Sequence, residues 1–199
     1  MNPYPTNSFW IGDRYRDETN PLRGALILGE STYGPVRAND PQWIHYFIDC
    51  QAKRWQDIDR MFGRLHWFMT DRAETAGVSY IELYKRSSRK ILKSWFNRFA
   101  FTNFVTQPLL DRKKRVSGLD LAKAREDLSR VLERIQPKGI WVMGARQEPY
   151  SVDVLEGFGI PRENIEVMRP HPSWISNLKG WESWARFRAI MRRVNGHGG

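Results

Sequence analysis

Ala25-Leu26-Ile27-Leu28-Gly29-Glu30-Ser31-Thr32-Tyr33-Gly34 is an apolar run of strand length that stops on a glycine and turns polar. A short apolar run bounded by glycine reads as a strand buried on both faces, the kind a parallel sheet uses. A matching pattern stands near the other end of the chain. Ile165-Glu166-Val167-Met168 is followed within a few residues by His171-Pro172-Ser173-Trp174-Ile175-Ser176. Each polar run is then expected as a loop at the C-terminal end of a buried strand. In an open parallel sheet such loops border one crevice, where ligands bind. Glu30 and His171, far apart in sequence, are thereby expected to face one small molecule.

The stretches between alternate in period. Leu22 to Leu28 reads as the first strand, and residues 1–23 before it, with Pro3, Pro5 and Pro21, as an irregular arm. Residues 40–71 are helical in pattern and divide into two helices, the first opening on Asp40-Pro41. Trp43, Phe47 and Cys50 share one face there, and Ile58, Met61, Leu65 and Phe68 share another. Ser87-Ser88 precedes a helix carrying Ile91, Leu92, Trp95 and Phe96. Residues 99–105, aromatic and β-branched, read as the second strand. A basic loop over 107–118 leads to a helix with Leu121, Leu128, Leu132 and Ile135 on one face, closed by Pro137. Residues 140–144 form the third strand, 148–157 a short helix and 165–168 the fourth strand. A final amphipathic helix carries Trp181, Trp184, Phe187, Ile190, Met191 and Val194. Strands separated by helical patterns imply βαβ units and helices on both faces of a parallel sheet. The expectation is one α/β domain over residues 24–195.

Composition narrows the function classes. The chain has 199 residues, 41% of them hydrophobic, which suits one folded domain with a single core. Its formal net charge of +10 favours a polyanionic partner, nucleic acid first. Cys50 is the sole cysteine, so there is no internal disulfide and no Cys-x-x-Cys for zinc or an iron–sulfur cluster. The four histidines lack ligand spacing, and no metal or other cofactor is expected. No apolar run reaches membrane-spanning length, and the first residues lack a leader pattern. A cytoplasmic monomer with no membrane partner is the expectation.

The strand-end residues resemble the uracil-DNA glycosylase superfamily. Gly29-Glu30 after the first strand, Thr102-Asn103 in the second and His171-Pro172-Ser173 after the fourth carry the resemblance, which runs from about Gly24 to Ser176. It implies a three-layer αβα fold with a four-stranded parallel sheet in the order 2-1-3-4. It also implies DNA as partner, and hydrolysis of the N-glycosidic bond of a deaminated, uracil-type base flipped out of the stack. Glu30 then takes the place of a catalytic glutamate that stabilises a cationic sugar and orients water. His171 takes the place of a histidine that donates a hydrogen bond to the departing base as charge grows on its carbonyl oxygen. Asn103 would read the pyrimidine edge, since an amide donates and accepts together. Gly29 and Ser31 border the base, Tyr33 walls the pocket, and Trp43 or Phe47 offers an aromatic platform. Ser173 and Ser176 would contact phosphate, and Trp174 and Ile175 stand where the family inserts an apolar wedge. Arg112, Lys113, Lys114 and Arg115 would lie along the DNA track.

The chain also departs from that pattern. Ser31 replaces the usual Asp or Asn, and Thr32 replaces a proline. A DNA- or nucleotide-binding module without catalysis is therefore an alternative reading on the same fold. A remoter alternative is a serine hydrolase with Ser31 as nucleophile and His171 as base. Gly29-Glu30-Ser31-Thr32-Tyr33 imitates a nucleophile elbow but has Tyr33 where the strained turn needs glycine. Structural roles suit many of the same residues: a strand-end Glu can meet a Lys, a buried Asn can be a satisfied core amide, and basic runs are commonly solvated faces.

Overall fold

Both faces of the central strand are covered, which is why its sequence is apolar without alternation. The computed structural model describes residues 9–33, 67–69, 94–109, 118–144, 148–169 and 177–196. Five strands form one sheet: β1 (Phe9–Ile11), β2 (Ala25–Tyr33), β3 (Ala100–Leu109), β4 (Gly139–Met143) and β5 (Ile165–Met168). Among the described residues three helices are seen from end to end: α1 (Gly118–Ile135), α2 (Glu148–Gly157) and α3 (Asn177–Val194). The strand order is β1-β3-β2-β4-β5. Pairing is parallel throughout except at β1, which runs antiparallel to β3.

The general α/β class holds, and two expectations about the sheet are corrected. The sheet has five strands rather than four, so the order of the whole sheet differs from the expected 2-1-3-4; the four parallel strands β2, β3, β4 and β5 keep that relative order, and the difference is the added antiparallel edge strand β1. The added strand comes from the supposed arm: Phe9, Trp10 and Ile11 pair with Thr102, Phe101 and Ala100. Three residues are too few to show a period of two. What holds them is tertiary: Trp10 is buried, and its indole N–H donates to the Phe96 carbonyl at 3.1 Å. The turns that follow are pinned by Asn20, 1% exposed, whose amide donates to the carbonyls of Arg14 and Arg98.

Side-chain alternation sorts the strands into two cores. Leu26, Leu28, Ile140 and Val142 point to one face, where Ala124, Leu128, Val131, Leu132 and Ile135 of α1 and Val152 and Leu155 of α2 cover them. Ile27, Phe101, Trp141 and Met143 point to the other face, beneath Trp184, Phe187 and Met191 of α3 and residues 67–69. That second core is aromatic: the Trp141 ring stacks on Phe187 at 5.6 Å and meets Trp184 at 5.2 Å. A polar chain crosses it. The Trp141 indole donates to Ser183 Oγ at 2.9 Å, Ser183 donates to Glu166 Oε1 at 2.8 Å, and Arg186 closes on the same oxygen. The Glu166 carboxylate correspondingly raises the Arg186 pKa. This chain ties β4, β5 and α3 together with its buried groups satisfied.

The helix ends follow local chemistry. α1 stops where Gln136 enters the left-handed region at φ 50° and Pro137 bars continuation. α2 ends in a Schellman motif: Gly159 N–H donates to Glu156 O and Ile160 N–H to Leu155 O. No helix among the described residues is long and apolar enough to cross a membrane.

Candidate functional site

Strand order fixes where a crevice can open. From β2 the chain passes to β3 on one side, then crosses to β4 and β5 on the other. The direction of progress reverses between β2 and β4, so the crevice lies beyond their C-terminal ends. At that edge stand the latter half of β2, Asn103 of β3, Gly144 just after β4 and Arg169 just after β5. Gly144 leaves β4 with φ 106°, a value open to glycine, and so turns the chain sharply at the rim.

The run Gly29–Tyr33 is not the loop expected from sequence. It continues β2, with Gly29 opposite Asn103, Ser31 opposite Val105 and Tyr33 opposite Leu109. The reason lies in the neighbour: β3 extends to Leu109, past the expected end at residue 105, and supplies a ladder for a polar stretch that is weakly strand-forming alone. The register shifts between Ser31 and Tyr33, where β3 uses four residues for two of β2. Pro108, which has no N–H to give a ladder, falls within this irregular part. Glu30 thus sits inside a strand, one residue beyond Gly29. This also removes the strained turn that a nucleophile at Ser31 would need.

Gly29 and Asn103 form the defined centre of the site. Asn103 is 6% exposed and lies on the α3 face, two residues after Phe101. Its Oδ1 occupies the space that a Cβ on Gly29 would take, closer than the 3.0 Å that real Cβ atoms keep. The Asn103 Cγ would be 3.4 Å and the Phe101 ring 3.3 Å from such a Cβ. The absence of a side chain at position 29 is therefore what lets the amide lie flat across the neighbouring strand. An amide that is nearly buried and lies against the Gly29 backbone has little room to turn.

Among the residues expected at the site, Gly29 and Asn103 are brought into contact, and Glu30, Ser31 and Tyr33 follow in the same strand. Trp43, Phe47, Arg112, Lys113, Lys114, Arg115, His171, Ser173, Trp174, Ile175 and Ser176 lie outside the described residues. Sequence reading missed Gly144 and Tyr150. Tyr150, in the first turn of α2 after β4, is 41% exposed. Gly144 had a signal in the sequence, a glycine directly after a strand; Tyr150 had none. Among the described residues no group of three His, Cys, Asp or Glu side chains gathers as a metal set. No protein-family model matches this sequence, and no curated protein matches it significantly.

Proposed function

We propose that the protein is a DNA glycosylase-like hydrolase that removes a deaminated, uracil-type base from DNA. The observation that carries this reading is the Gly29–Asn103 contact at the C-terminal edge of the two central parallel strands, with Glu30 next in the chain. Asn103 places a nearly buried amide at this edge, and an amide can both donate and accept, the complement of a pyrimidine carbonyl beside its ring N–H. Glu30 then supplies negative charge to the sugar cation that forms as the glycosidic bond breaks, orients the water that adds to the anomeric carbon, and accepts the proton that this water gives up. His171 donates a hydrogen bond to the carbonyl oxygen of the leaving base, and the base departs with the electron pair of the broken bond. The net charge of +10 supports a nucleic-acid substrate through phosphate contacts. A cytoplasmic, monomeric enzyme without a cofactor completes the reading.

The test is a panel of oligonucleotides bearing uracil, hypoxanthine, xanthine or mismatched thymine, scored for alkali-labile abasic sites. Cleavage of at least one is expected, with Glu30→Gln and His171→Ala each slowing it by about 10²–10³. No cleavage on any member refutes catalysis. One observation favours a second reading in that event: Ser31 and Thr32 stand where the resemblance expects an acid or amide and a proline. A DNA-binding module would then show binding without excision. With about five phosphates neutralised, its log affinity would fall with log salt at a slope of roughly −4 to −5.

A further inference from the structure

The opposite edge of the sheet carries a basic cleft that plays no part in the reading above. It has a volume of about 220 Å³ and is walled by Tyr15, Arg16, Arg23, Gln136 and Lys138, with Gly24 and Ile135 between them. Among the described residues that line it, three are cationic and none is acidic. The cations come from two distant parts of the chain, the turns before β2 and the link between α1 and β4.

Two of them converge on one neutral acceptor. Arg23 Nε donates to Asn195 Oδ1 at 3.4 Å, and Lys138 Nζ donates to the same oxygen at 3.3 Å. Asn195 is itself held by its Nδ2 donating to the Arg23 carbonyl at 3.0 Å. Two positive charges are thus fixed side by side by an amide that neutralises neither. The carboxylate paired with Arg23 is Glu18, at 3.5 Å and 90% exposed, and such a pair gives little stabilisation. Arg16 reaches over the end of α1 to the Arg134 carbonyl at 3.4 Å, which offsets the negative pole of that helix beside the cleft. The Lys138 stem lies against Gly24, so its ammonium has a set origin rather than a free swing.

Tyr15 adds a donor. It is 2% exposed, and its hydroxyl is buried without a hydrogen-bond partner. A buried polar group in that state is costly and uncommon. Burial raises its pKa well above the usual tyrosine range, against the smaller opposing effect of Arg16, so it stays a protonated donor.

We propose that this cleft is a phosphate-binding site, taking either a free phosphate group or a phosphodiester of nucleic acid between Arg16, Arg23 and Lys138. Guanidinium and ammonium donors on one side of a compact anion give short charge-assisted hydrogen bonds, and a tetrahedral phosphate has oxygens enough for all three. The proposal does not rest on base excision and stands at the edge of the sheet away from Gly29 and Asn103.

The test uses the full chain at low salt, titrated by calorimetry with pyrophosphate and, separately, with an undamaged 12-base-pair duplex. If free phosphate is the ligand, pyrophosphate binds, and Arg23→Gln and Lys138→Gln each weaken it by about tenfold or more. If a phosphodiester is the ligand, only the duplex binds, and each variant lowers the salt slope of binding by about one. In wild-type protein, amide resonances of Tyr15, Gln136 and Lys138 shift on titration with the ligand that binds; this arm does not depend on how the variants fold. Lys138→Arg, which keeps the charge, retains binding. The proposal is overturned if neither probe moves those resonances, or if folded Arg23→Gln and Lys138→Gln proteins bind both probes as wild type does. Loss of excision in the base panel with phosphate binding intact would sink the proposed activity and leave this site standing.

Discussion

Adding one methyl group at Gly29 tests the centre of the site directly. In Gly29→Ala the new Cβ falls on the Asn103 amide oxygen and within 3.3 Å of the Phe101 ring. The oxygen must retreat by close to an ångström to restore contact. It has nowhere easy to go, since Asn103 is 6% exposed and Phe101 is fully buried. Overpacking of this kind costs about 1–3 kcal/mol. In a chain of this size each kcal/mol lowers Tm by about 2–4 °C. The same methyl group in an Asn103→Ala background meets no amide and enters the space the amide vacated. There its cost should fall below about 0.5 kcal/mol, giving a coupling of at least about 0.5 kcal/mol between the two positions. Urea unfolding of the four proteins of the cycle, followed by tryptophan fluorescence, measures this. If Gly29→Ala costs the same in both backgrounds, the amide does not lie across Gly29 and the site as built here is wrong.

Three further outcomes are expected. Ser183→Ala leaves the buried Trp141 indole N–H and one Glu166 hydrogen bond without Ser183, so it should destabilise by about 1–3 kcal/mol in denaturant unfolding; an unchanged midpoint would show that the polar chain does not hold β4 to α3. Gly159→Ala should cost about 1–2 kcal/mol through its φ of 93° alone, because nothing lies within 4 Å of its Cβ position, whereas Gly157→Ala, equally open and at the end of α2, should be neutral or stabilising; equal effects on Tm would contradict the Schellman ending. Asp17 is held below the usual carboxylate pKa by hydrogen bonds from the Thr19 hydroxyl and amide, then by Arg14. A depressed folded pKa contributes stability above the unfolded value of about 4 that is lost as pH falls through the folded one. Carbon-13 titration of the Asp17 carboxyl should therefore give a midpoint below the usual aspartate value of about 4, and a midpoint at or above it would refute the assignment.

The buried strands were legible because burial on both faces leaves a local trace, an unbroken apolar run such as Ala25 to Leu28 or Ile140 to Met143. Helix α1 was legible through the spacing of Leu121, Leu128, Leu132 and Ile135, and its end through Pro137. The general α/β class followed from the alternation of these patterns. Strand β1 was not legible, since Phe9–Ile11 is held by a partner ninety residues away and shows no period of its own. The extension of β2 through Glu30 to Tyr33 was missed for the same reason: polar residues become strand when β3 runs alongside them.

At the site, sequence determined which residue types were available, a glycine and a carboxylate after one strand and an amide within another. It could not say that Gly29 and Asn103 touch, because register belongs to the pair of strands and not to either one. The basic cleft is a sharper case. Arg16, Arg23 and Lys138 are three unremarkable cations in the chain, and only the sheet edge brings two of them to Asn195. Local periodicity thus determined the elements of this protein. Register and crossover, which need contacts between distant segments, decided which side chains meet.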